Sequence, residues 1–116
     1  MSKSILRDKS YNFAIRIVKL SRFLMDEKRE FVLSKQVLRS GTAIGALIRE
    51  AEFAQSKADF VSKMSMALKE TSETDYWISI LKDTGFINQD QFGSLHVDCR
   101  ELLAMLISTV KTGKKK

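Results

Sequence analysis

The chain has 116 residues, 44% of them hydrophobic and 29% charged, and a formal net charge of +6. Such a length builds one domain around one core and is too short to divide into two. A single cysteine rules out an intrachain disulfide, no stretch approaches the ~18 apolar residues of a membrane span, and Met1 to Asp8 holds no continuous apolar run of the signal-peptide kind, so a soluble cytoplasmic protein is expected.

Proline is absent, so nothing but glycine and local capping interrupts a helix. The first helix is expected over about residues 9–28, where Phe13, Ile17, Leu20 and Leu24, spaced 4, 3 and 4 apart, form one apolar stripe widened by Ala14, Val18 and Met25. Asp26 to Glu30 is a charged interruption. Ser34 is the predicted N-cap of a second helix over about 34–54. Its inward face is Val37, Gly41, Ile44, Ile48 and Ala51. Gly41 and Gly45 lie one turn apart; each costs a helix about 1 kcal/mol relative to alanine, which points to close packing against a neighbouring helix.

Ser56 and Asp59 read as a capping box that opens a third helix over about 57–84. Phe60, Met64, Ala67, Thr71, Thr74, Ile78 and Leu81 then alternate at 4 and 3, a sustained heptad seam, until Gly85 supplies a left-handed C-terminal residue. Phe86 and Ile87 staple the turn, and Asn88 with Gln91 caps a fourth helix over about 89–112. Its seam is Phe92, Leu95, Cys99, Leu102 and Leu106, beside a second row of Leu103, Ile107 and Val110. Residues 1–113 are expected to form one domain, and 114–116 a basic disordered tail. Four amphipathic helices on short turns bury their stripes together as an up-down-up-down antiparallel four-helix bundle, an all-α fold.

Catalytic constellations are not evident. His96 is the only histidine and reads as a surface or boundary side chain; Cys99 lies in an apolar seam and reads as a core thiol. Glu50, Glu70 and Glu73 could face one another across the bundle, but di-metal carboxylate sites add Glu-x-x-His pairs that this chain lacks, so solvated or ion-paired acids are expected. Gly41 to Gly45 has no phosphate-loop lysine and sits within a helix. The sequence therefore implies no enzyme, no metal and no cofactor.

Met1 to Ser40 carries 10 basic and 4 acidic residues, which concentrates the positive charge early in the chain. Lys9, Arg16, Lys19 and Arg22 fall within an arc of about 140° on the first helix. Lys28, Arg29, Lys35 and Arg39 extend that charge into the turn and the second helix, and Lys111 with Lys114 to Lys116 is expected to add to it. Such an array binds phosphate backbones by counterion release. Equally, a charged face keeps a bundle soluble. Apart from Tyr11 and Phe23, no aromatics that could stack bases are interleaved with these cations, so sequence-specific recognition is not expected. Tyr76, Trp77 and Ile80 exceed what the third helix's seam can bury and are candidates for a subunit interface.

From Leu38 to Ala51, through Ser56 to Phe60 and Ala67 to Glu70, and on to Glu73-Thr74-Asp75-Tyr76-Trp77, the chain resembles the four-helix bundle proteins encoded in 23S rRNA intervening sequences. It departs from them at Ala43 and Leu47, where Ser and Asn are usual. The resemblance implies a left-handed bundle assembling into a ring-like homo-oligomer of five subunits, without implying membership of the ribosome. A similar accessory protein of diversity-generating retroelements is associated with nucleic acid and a reverse transcriptase. A ring repeats the basic stripe, which favours binding of RNA or structured DNA. The alternative is a scaffold that docks a partner protein.

Overall fold

The computed structural model describes residues 2–114, with side chains from Ile5 onward. Four helices follow in order, α1 (Ser2–Asp26), α2 (Leu33–Glu52), α3 (Lys57–Asp83) and α4 (Gln89–Lys114), with no strand among the described residues. Contacts between helices run in opposite register along each pair. Arg7 meets Glu52 and Ser21 meets Ser34 across α1 and α2. Glu50 meets Lys63 and Ser40 meets Thr74 across α2 and α3. Asp75 meets His96 across α3 and α4, and Arg16 meets Asp98 across α1 and α4. The result is an antiparallel bundle of 46 × 21 × 20 Å. The α1–α2 and α3–α4 turns share one end, and the α2–α3 turn shares the other with Ser2 and Lys114.

The apolar stripes read from the sequence form the core. Phe13, Ile17, Leu20 and Leu24 are buried, as are all five inward residues of α2, Met64 to Leu81 along the α3 seam, and Leu95, Cys99, Leu102 and Leu106 of α4. Phe60 and Phe92 sit at its margin, partly buried. Leu6 joins the core one heptad before Phe13, and α1 accordingly begins at Ser2 rather than at about Lys9.

Helix ends depart most from expectation. Arg29 takes the left-handed conformation (φ 53°) usually given to glycine, and the Glu30 N–H donates to the Leu24 carbonyl at 2.9 Å, closing α1 at Asp26. Ser34 does not cap α2. It lies inside the helix with its carbonyl accepting from the Ser21 hydroxyl. Glu30 caps instead, its carboxylate accepting from the N–H groups of Val32, Leu33 and Ser34 at 3.2, 3.0 and 2.8 Å. Ser56 accepts from the Asp59 N–H as expected, whereas the Asp59 carboxylate takes the Gln55 N–H and not that of Ser56. Asn88 and Gln91 do exchange both bonds, at 2.8 Å each. Gly85 has φ 83°, and the Phe86 N–H reaches the Leu81 carbonyl. Lys114 continues α4; Lys115 and Lys116 lie outside the described residues.

Candidate functional site

The cations singled out in the sequence divide into two populations. Lys9 donates to Glu101 at 2.6 Å, and Arg16 is fixed against α4 by Asp98 at 2.6 Å and by the carbonyl and hydroxyl of Ser94. Arg39 bridges α2 to α3 through Glu70, at 3.2 Å, and Glu73. These three are largely neutralised within the bundle. The pattern on α4 that does this, Asp98 and Glu101 three residues apart, is visible in the sequence as an acidic edge on the helix that neighbours α1.

Lys19, Arg22 and Lys35 are exposed and enter no ion pair among the described residues. Lys28 and Arg29 are exposed too, each resting over an aromatic ring, Lys28 Nζ 5.8 Å from the centre of Phe23 and Arg29 5.5 Å from that of Phe31. All five gather at the end of the rod formed by the α1–α2 turn, since Lys19 is only about 10 Å of helix rise from Asp26. Asp26 and Glu27 accompany them, and Asp83 and Asp90 of the α3–α4 turn stand at the same end; Glu30 is committed to its cap. Burial acts to raise the Glu30 carboxyl, but the N–H groups of Leu33, Ser34 and Val32 outweigh it and hold the acid below its ordinary value.

Lys111 and Lys114 do not join this cluster. The antiparallel course of α4 carries them to the opposite end, where Gly113 approaches Val61 and Leu6 and Lys57 line the same cleft.

Among the interface candidates, Trp77 is partly buried and donates its indole N–H to Glu73 at 3.0 Å, so it completes the Arg39–Glu70–Glu73 network. Ile80 is partly buried beside it, while Tyr76 is 59% exposed with its ring edge-on to Trp77, centroids 5.1 Å apart. Ala43 is partly exposed, and Leu47 packs against the core margin. Of the three glutamates considered as a metal set, Glu50 pairs with Lys63 at 3.1 Å, whereas Glu70 and Glu73 share Arg39.

His96 occupies a boundary position with more company than the sequence suggested. Its Nδ1 lies 2.9 Å from Asp75 Oδ1, and its ring stacks on Phe92. One turn on, the buried Cys99 thiol donates to the Thr71 carbonyl; burial, with the nearby Asp75 charge, pushes it up to about 12. It is a packing residue and not a nucleophile at neutral pH. No helix among the described residues is long and apolar enough to cross a membrane.

Residues 2–108 match the family model for the 23S rRNA-intervening sequence protein. A solved structure similar to this chain, a protein with unknown function from the S23 ribosomal protein family of Bacteroides thetaiotaomicron VPI-5482, is 52% identical over 96% of this chain and 99% of its own, with a TM-score of 0.94. No curated protein matches significantly.

Proposed function

The chain belongs to the 23S rRNA-intervening sequence protein family, and on that premise we propose that it is a non-catalytic, homo-oligomeric accessory protein that binds RNA or structured DNA. The observation carrying this reading is the group of exposed cations, Lys19, Arg22, Lys28, Arg29 and Lys35, left over after Lys9, Arg16 and Arg39 have been spent on internal acids. Exposed cations occur elsewhere too, Lys57, Lys111 and Lys114 at the opposite end among them, but the α1–α2 end brings five together within residues 19–35. Repeated around a five-membered ring, the cluster becomes a polyvalent contact for phosphates, with no base-specific contact required. Exposed Tyr76 supports self-association through the outer side of α3.

Two measurements test the reading. Light scattering on the purified chain should give several subunits per particle. An RNA titration at low salt should give a dissociation constant of about 10⁻⁴ M or tighter that weakens steeply as salt rises. A single subunit that ignores RNA sinks the proposal.

A scaffold for a partner protein, such as a reverse transcriptase, is the second reading, favoured by the exposed Phe53 and Val32 at the two ends. Partners retained on the immobilised protein after nuclease treatment would support it over direct nucleic-acid binding.

A further inference from the structure

Between α1 and α4, close to the cationic end, the bundle opens into a groove of about 400 Å³ lined by Arg16, Lys19, Leu20, Phe23, Gln91 and Leu95. The α1–α4 seam is the loosest of the four, which is why a gap exists there. Leu20 and Leu95, both nearly buried, make an apolar floor, and the partly exposed Phe23 ring makes a wall. Arg16 and Lys19 stand on the rim and Lys28 reaches over Phe23; the lining contains no acidic side chain. Gln91 spends its carbonyl oxygen on the Asn88 N–H, which leaves its amide N–H groups to donate.

We propose that this groove receives an unpaired nucleobase, so that the protein selects single-stranded over duplex nucleic acid. The inference rests on the nucleic-acid reading above and specifies which form is bound. A flat apolar ring with an anionic arm matches an apolar floor with a cationic rim. The base lies against Phe23 over Leu20 and Leu95, the Gln91 amide meets its edge, and the flanking phosphates meet Lys19 and Lys28. Arg16, held by Asp98 and Ser94, fixes one margin of the groove. A base locked in a duplex cannot enter, so base pairing abolishes stacking in the groove and leaves only the phosphate attraction. The volume falls in the ~300–1,000 Å³ range of small-molecule sites.

The test uses the full chain with a fluorescent single-stranded RNA and a duplex of equal length. Phe23→Ala should weaken the single strand about tenfold, as loss of one base stack does, and leave the duplex unchanged. Phe23→Tyr should restore the single-strand affinity. In Phe23→Trp, the single strand should quench the introduced indole beyond any quenching of Trp77 in the parent, and the duplex should not; this readout survives even if the alanine variant folds poorly. Equal loss for both RNAs, or no differential quenching, overturns the groove while leaving electrostatic binding standing. If the parent chain binds neither RNA, the nucleic-acid reading falls with it.

Discussion

A β-carbon placed on Gly41 would lie 2.7 Å from both Cγ1 and Cγ2 of Ile17, closer than real carbon atoms approach. Ile17 is fully buried and β-branched, so it cannot swing aside. Gly41→Ala should therefore destabilise the bundle: overpacking costs about 1–3 kcal/mol, and the roughly 1 kcal/mol gained in helix propensity only partly offsets it. Denaturant unfolding should show a lowered midpoint, and the loss caused by Gly41→Ala should shrink when it is measured in an Ile17→Ala background, whatever that truncation costs by itself. Gly93 faces open space in α4, and Gly93→Ala should raise stability by about 0.5–1 kcal/mol. A midpoint that rises for Gly41→Ala would contradict the close approach.

Glu30 makes stability fall in acid. Its folded pKa lies below the ordinary value of 4.5, so the ionised form is favoured by the fold, and its contribution is complete above that pH and lost as pH drops through the folded pKa. Glu30→Gln should destabilise at pH 7 by about 1 kcal/mol, the scale of a helix cap. It should also flatten the pH dependence below 4.5, where the parent loses the same contribution. Unfolding curves at neutral and acid pH check this; parallel curves for parent and variant would remove Glu30 from the cap.

These helix ends mark where the sequence was hardest to read. The inward stripes were legible because a 3.6-residue period leaves little choice about which face is apolar, and the two glycines of α2 announced the close approach to α1. Ser34 misled because it has the right chemistry for a cap, whereas Glu30 caps from four residues upstream after Arg29 turns the chain with a positive φ that no glycine signals. In the candidate site, the basic residues were legible as a helical stripe. Which of them remained unneutralised was not, because that depends on the neighbouring helix, where Asp98 and Glu101 meet Arg16 and Lys9, and Glu70 and Glu73 meet Arg39. Lys111 and Lys114 looked additive in a linear charge count and are placed a rod's length away by the antiparallel topology.

Cys99 should be silent toward thiol reagents in the folded protein. Burial, together with the Asp75 charge, suppresses its thiolate up to about 12, and the thiol is enclosed against Thr71. Labelling at pH 8 should proceed only as fast as the bundle opens, and should accelerate to the rate of a free thiol in denaturant. Fast labelling under native conditions would place the sulfur outside the core.

The division of the cations makes a sharper prediction than net charge does. Lys19, Arg22 and Lys35 have no internal acid to satisfy, so replacing all three with glutamine should leave helical content and unfolding midpoint nearly unchanged. With three fewer cations to neutralise phosphates, binding releases fewer counterions, and the slope of log affinity against log salt should become shallower by about 2–3. Replacing Lys9 and Arg39 with glutamine removes the same kind of charge from residues already paired with Glu101, Glu70 and Glu73. That variant should lose up to about 1 kcal/mol of stability per exposed pair and should barely alter the salt slope, because Lys9 and Arg39 are engaged with internal acids and hold no phosphate in the parent. If both variants lowered the slope alike, RNA would be responding to total charge, and the arrangement of the five cations around the α1–α2 turn would have no part in binding.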